Sequence, residues 1–216
     1  MFNLYMKPKN DYKNVVVLLP GRGQPAMELF TRYSLSINFD DTQLAAIEPK
    51  EEWYPAPRGS KNQTDAVEGL KSTVPKLNKF ISDNFESKNV VLLGFSAGAV
   101  IAIQLAAQTN LYSGVVVHNG AILEPENLSP CQTPFLLLHS KDDDCFSWHE
   151  RYLPMKKAFL EKGFKVNFIE NELGGHSISA KDRAQASNWI ASIFNHPVKE
   201  HTGEEDFYEV DLDFYE

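Results

Sequence analysis

The chain has 216 residues, 43% hydrophobic and 23% charged, a balance that suits one globular domain and excludes disorder or a coiled coil as a description of the whole. Its formal charge of −8 is unevenly placed: residues 204–216 (EEDFYEVDLDFYE) hold seven acids and no base, so residues 1–203 set 21 bases against 22 acids. A near-neutral body offers no electrostatic footprint for nucleic acid or an anionic lipid surface.

In chain order, the N-terminal MFNLYMKPKNDYKN lacks the apolar run of a secretory signal. Residues 15–19 (VVVLL) read as a buried strand that stops at Pro20-Gly21, and residues 44–47 as a weaker one. Apolar residues spaced by three and four over 65–85 predict a helix, which Pro75 should bend or restart. Residues 90–93 (VVLL) predict the next strand and 97–109 the next helix. The greasy run 97–107 is too short to span a bilayer and is interrupted by Gln104. Strands follow at 114–117, 135–138 and 166–169, with helices at 148–161 and 180–194.

Continuous apolar strands alternating with helices predict an α/β domain, a mostly parallel doubly wound sheet flanked by helices. It should occupy residues 1–200 as a single unit, with 201–216 as an acidic, aromatic tail. Two loops, 48–64 and 119–133, are longer than the pattern requires, and such loops at strand ends are where α/β domains put their sites. Cys131 and Cys145 show neither a disulfide framework nor zinc spacing, which points to a reducing, cytoplasmic setting.

The chemistry starts at Gly94-Phe95-Ser96-Ala97-Gly98, between a strand and a helix. This is the G-x-S-x-G nucleophile elbow in its required context. A serine hydroxyl is a weak nucleophile and needs a base that a third group orients. The chain order serine, acid, histidine of the α/β hydrolases is met here. Strand 135–138 runs into His139-Ser140-Lys141-Asp142-Asp143-Asp144, and strand 166–169 leads to Gly174-Gly175-His176. His176 is the one histidine in the right order and context. The pattern does not choose among Asp142, Asp143 and Asp144, and the two not chosen read as a solvated acidic loop. An oxyanion hole needs two preorganised amides. One is expected from Ala97, after the nucleophile, and the other from the loop Pro20-Gly21-Arg22-Gly23-Gln24.

These residues resemble the phospholipase/carboxylesterase group of α/β hydrolases, which includes the acyl-protein thioesterases. The resemblance covers residues 15–194 and rests on LLPGRG, the WYP at 53–55, GFSAGA, SGVVVHNGAI and GGHSIS. It implies an α/β-hydrolase fold, compact and without a large lid domain. Its H-G-x-x-D segment falls on residues 139–143, so the resemblance selects Asp143 as the acid, and it gives Arg22 the first oxyanion amide. Three positions depart from the family pattern: Pro20 replaces a histidine, Ala97 a glutamine and Ser140 a glycine. The first two alter the rim of the oxyanion site and bear on substrate preference.

The expected activity is hydrolysis of carboxylic esters or thioesters through Ser96, His176 and Asp143, with an acyl-enzyme intermediate. Gly23, Trp53, Tyr54, Phe146 and Trp148 are candidates to line the substrate site. His139 reads as a structural tether of its strand end, and His118 as pocket lining or polar filling. The partner is a small-molecule ester or thioester, with acylated lipid or protein as further candidates. No metal cluster or nucleotide fingerprint calls for a cofactor, and oligomeric state is left open, a homodimer included. The rival readings are a non-catalytic binding module built on a hydrolase-like cleft, and a lactone hydrolase of dienelactone type. Serine rather than cysteine at position 96 speaks against the second.

Overall fold

A computed structural model describes residues 1–7, 9–55 and 64–197. The acidic tail at 201–216 and part of the 48–64 loop lie outside these residues. Seven strands form one sheet in the order β1-β3-β2-β4-β5-β6-β7. Strand β1 (Phe2–Met6) runs antiparallel to β3 (Thr42–Pro49). The rest are parallel: β2 (Asn14–Leu19), β4 (Asn89–Phe95), β5 (Tyr112–His118), β6 (Phe135–Ser140) and β7 (Val166–Asn171).

The sheet separates two apolar layers because successive side chains on a strand point to opposite faces. Val15, Val17 and Leu19 join Leu92, Val115 and Phe135 on one face. That face is covered by α2 (Thr64–Asn84), α3 (Ala97–Gln108) and α4 (Leu153–Glu161). Val16 and Leu18 join Leu93, Val116 and Leu138 on the other, under α1 (Ala26–Ser34) and α5 (Ala180–Ile193). Double coverage is why the strands read as unbroken apolar runs rather than alternating ones. Each fully buried leucine among them contributes about 2 kcal/mol of burial free energy.

The fold matches the expected architecture, with two additions and one correction. Strand β1 and helix α1 are elements that the apolar runs did not announce. Strand β1 is half-buried, with Phe2 and Leu4 packing on one layer and Tyr5 on the other. Helix α1 is short, and a long-range bond fixes its start: the Ala26 amide donates to Glu48 Oε2 at 2.7 Å. The correction concerns Pro75, which does not restart a helix. It lies inside the single helix α2, on the solvent side, where water can serve the Lys71 carbonyl that the missing amide leaves without a partner. The expected helix 148–161 opens as a π-helical turn, Trp148–Tyr152, before α4.

The order of the sheet locates the crevice. After β2 the chain steps outward to β3, then returns to the other side of β2 for β4. The loops leaving β2 and β4 therefore diverge, and a crevice opens at their carboxyl ends.

Candidate active site

Ser96 follows the last residue of β4 and caps α3 with φ +54° and ψ −119°, a conformation that non-glycine residues rarely hold. Its flanking glycines answer to packing. A Cβ on Gly94 would overlap the backbone of Gly98 and Ala99, and one on Gly98 would overlap the Leu19 carbonyl of the neighbouring strand. The strained turn is held by the Ser96 amide, which donates to the His118 carbonyl at 3.0 Å.

His176 and Asp143 converge on this hydroxyl from the ends of β7 and β6. His176 Nε2 lies 2.8 Å from Ser96 Oγ, and Nδ1 lies 2.9 Å from Asp143 Oδ2. An ionised carboxylate only accepts, so Nδ1 carries the proton and Nε2 is left to accept from the serine hydroxyl. Asp143 is 4% exposed. Its other oxygen accepts the amides of Cys145 and Phe146, each at 2.8 Å, so the buried charge is held by hydrogen bonds on both sides.

The three consecutive aspartates are distinguished by where they point. Asp143 turns inward, helped by its own amide, which donates to the Ser140 carbonyl at 3.1 Å. Asp142 is exposed but not idle: Oδ1 accepts the Gly175 amide at 2.8 Å and Oδ2 the Gly174 amide at 3.3 Å. The Gly175 amide, followed by that of Gly174, holds its carboxyl below the usual range. Asp144 is exposed.

The loop after β2 lies against Ser96. A Cβ on Gly21 would come within 3.2 Å of Ser96 Cβ. The loop is tied down on both sides. The Gly21 amide donates to Gln24 Oε1 at 3.1 Å, and the buried Trp53 indole donates to the Pro20 carbonyl at 2.8 Å. The Arg22 guanidinium donates to the Tyr54 carbonyl at 3.1 Å, pairs with Glu52 at 3.3 Å and lies 5.5 Å from the centre of the Tyr54 ring. Ala97 is the first residue of α3, where amides lack an intrahelical acceptor. Arg22, Gly23, Trp53 and Ala97 share a cavity of about 270 Å³ with Glu48, Glu51 and Glu52.

The other aromatic candidates do not border that cavity. Tyr54 is buried in the core, and burial pushes its hydroxyl up to about 12. Phe146 sits on the other side of the site, its ring 5.7 Å from that of His176. Trp148 stacks on Tyr152 at 4.5 Å, and Tyr152 stacks in turn on His139. His139 Nε2 donates to the Phe146 carbonyl at 2.9 Å, tethering the loop that carries Asp143. Its burial lowers its affinity for a second proton.

Two strand-end residues beyond these matter. His118 is fully buried at the end of β5, and neither ring nitrogen has a hydrogen-bond partner among the described residues. Burial pushes its pKa down to about 4 against the pull of Asp182, whose Oδ2 lies 3.6 Å away. Asn119, next along, is equally buried and donates from Nδ2 to the carbonyls of Gly175 and Ser177 at 3.0 and 3.2 Å. No spacing rule points to Asn119; the available sign is a polar, turn-tolerant residue between an apolar strand and a glycine. Among the described residues, no group of three or more histidines, cysteines and carboxylates is placed to hold a metal, and no helix is long and apolar enough to cross a membrane.

A model of the phospholipase/carboxylesterase family matches residues 6–194. Solved structures share the fold at low identity. Esterase PE8 is 21% identical with a TM-score of 0.79, over 89% of this chain and 99% of its own. A carboxylesterase from Bacillus cereus is 19% identical with a TM-score of 0.73, over 90% and 95%. Acyl-protein thioesterase 2 from Zea mays is 18% identical with a TM-score of 0.69, over 89% and 98%.

Proposed function

The chain belongs to the phospholipase/carboxylesterase family of hydrolases, and on that premise we propose that it cleaves carboxylic esters or thioesters with Ser96 as nucleophile, His176 as general base and Asp143 as the orienting acid. The observation that carries this reading is the continuous relay Ser96 Oγ, His176 Nε2, His176 Nδ1, Asp143 Oδ2, with contacts of 2.8 and 2.9 Å. Ser96 Oγ attacks the acyl carbon while its proton passes to His176 Nε2. The resulting imidazolium is stabilised by Asp143. The carbonyl oxygen becomes an oxyanion held by the amides of Arg22 and Ala97, the latter at a helix N-terminus that favours negative charge. Collapse breaks the bond to the alcohol or thiol, which leaves with the proton from His176. Water then attacks the acyl-enzyme, giving up its proton to the same nitrogen, and the acid and free Ser96 are released.

The cavity beside Ala97 sets the substrate preference. At about 270 Å³, with Glu48, Glu51 and Glu52 in its wall, it suits a short acyl or leaving group better than a fatty chain. Carboxylates in the wall oppose an anionic substituent there. The two cysteines, neither in a disulfide, suit action in a reducing cytoplasm. Hydrolysis of p-nitrophenyl esters of graded chain length tests both parts of the reading. The expected result is turnover that is greatest for acetate and butyrate and falls as the chain lengthens. No turnover of any ester or thioester would remove the hydrolase assignment, and a maximum at long chains would remove the small-substrate preference.

A further inference from the structure

His176 must keep two contacts at once, and the loop that carries it is poorly suited to do so alone. It begins with two glycines at positive φ, Gly174 at +155° and Gly175 at +56°, the residue type with the most backbone freedom to lose. Glycine is favoured at 174 by its φ, and a Cβ there would also come within 2.5 Å of Ser140 Oγ, which would have to turn away. The Ser177 hydroxyl donates to the Gly174 carbonyl at 2.6 Å, which tightens the turn but does not fasten it to the sheet.

Two side chains outside the proton relay supply the fastening. Asn119 reaches from the end of β5 and holds the carbonyls on both sides of His176, those of Gly175 and Ser177. Its Oδ1 accepts the Ser140 amide at 3.1 Å, and its own amide donates to the Leu138 carbonyl at 2.9 Å. The two carbonyls need donors and the Ser140 amide needs an acceptor, so the orientation of the side-chain amide is fixed. Asn119 also holds φ +45°, a conformation asparagine tolerates better than most residues. Asp142 reaches from the end of β6 and holds the amides of Gly174 and Gly175. The peptide groups around His176 are thus gripped by their carbonyls from β5 and by their amides from the loop that also carries Asp143.

We propose that Asn119 and Asp142 are positioning residues that clamp the His176 loop and hold the imidazole in line with Ser96 and Asp143. The proposal rests on the hydrolase reading above. Neither side chain touches the reacting atoms. Each acts through the loop backbone, and misplacing a reacting group by about 1 Å can cost on the order of 10²-fold in rate.

The test uses the full chain, a short p-nitrophenyl ester and a fluorophosphonate probe. Asn119→Gly removes the amide while keeping a residue that accepts φ +45°, and Asn119→Asp keeps the shape but sets a carboxylate against two carbonyls. Both should lower kcat by about 10²-fold with KM within about twofold, and slow probe labelling in parallel. The kinetic pKa of the base should also shift, a change that a purely structural role would not produce. Asp142→Ala should cost about tenfold, and Asp142→Asn should recover part of it, because its single oxygen can still accept the Gly175 amide while its NH2 faces that of Gly174. If Asn119→Gly fails to fold, the Asp142 pair decides, since that side chain is exposed and its loss leaves no packing defect. Wild-type kcat in folded Asn119→Gly, or in Asp142→Ala, would overturn the clamp while leaving the hydrolase reading in place. An inert wild type would sink both.

Discussion

The two ends of the same strands use polar residues to opposite effect. At the amino ends of β2, β3 and β4, Asn14 links Asp41 and Asn89, and Asp41 also accepts the Thr42 hydroxyl and pairs with His196. Asn14 Nδ2 donates to Asp41 at 3.1 Å, and Asn89 Nδ2 donates to Asn14 at 3.0 Å. At the carboxyl ends, Ser96, Asp143 and His176 form a chain that stops at a hydroxyl beside a cavity, on backbone that includes Ser96 at +54° and Asn119 at +45°. One end closes the sheet, its polar groups joined by hydrogen bonds. The other places a strained serine against an imidazole nitrogen, at 2.8 Å. Substitutions at the first end should therefore appear in stability, and at the second in rate.

The largest expected effect lies at the carboxyl end. Ser96→Ala should lower ester turnover by about 10⁴-fold or more, and Asp143→Asn by about 10⁴-fold by favouring the wrong imidazole tautomer. Neither should move the melting temperature by more than a few degrees. A large loss of stability with only a modest loss of rate would erase the contrast.

His118 sharpens it, because it stands at the carboxyl end yet should act on stability. Buried, its pKa falls from 6.5 to about 4. The unfolded chain therefore binds the extra proton first as pH drops. The stability contribution is whole above about pH 6.5 and shrinks as pH falls toward 4. Chemical denaturation at pH 7.5 and pH 4.5 should show this loss, and His118→Leu should flatten it. An unchanged pH dependence in that variant would assign the loss elsewhere.

Smaller effects follow. Asn14→Ala, at the amino end, should cost about 1–2 kcal/mol by removing its hydrogen bonds to Asp41 and Asn89, with turnover unchanged. Trp53→Phe removes the indole N–H that holds the Pro20 carbonyl, and should lower kcat/KM by about tenfold through a looser oxyanion loop. Turnover that falls in Asn14→Ala, or a Trp53→Phe enzyme as fast as wild type, would contradict the division of labour between the two ends.

Much of this was legible in the sequence because its marks are local. G-x-S-x-G between an apolar strand and a helix needs no tertiary knowledge, and neither does a lone His176 behind two glycines. What was not legible depends on contacts between distant segments. Which of Asp142, Asp143 and Asp144 meets the imidazole shows only in the contact of Asp143 with His176, 33 residues on, and the pattern alone left the three equal. Asp142 read as solvated, because its partners, the amides of Gly174 and Gly175, lie 32 and 33 residues away. Trp53 and Tyr54 were readable as aromatics near the site, but the hold of Trp53 on Pro20 and of Arg22 on Tyr54 joins two loops separated in sequence by α1 and β3. Strand β1 owes its place to pairing with β3, and α1 to a carboxylate from that same strand.

Whether Ser96 is a nucleophile activated by His176 is decided by intact-mass analysis after treatment with a fluorophosphonate. The expected result is one stoichiometric adduct on wild type, mapped to Ser96, and none on Ser96→Ala. Folded wild-type protein that takes no adduct, or takes it on another residue, would contradict it.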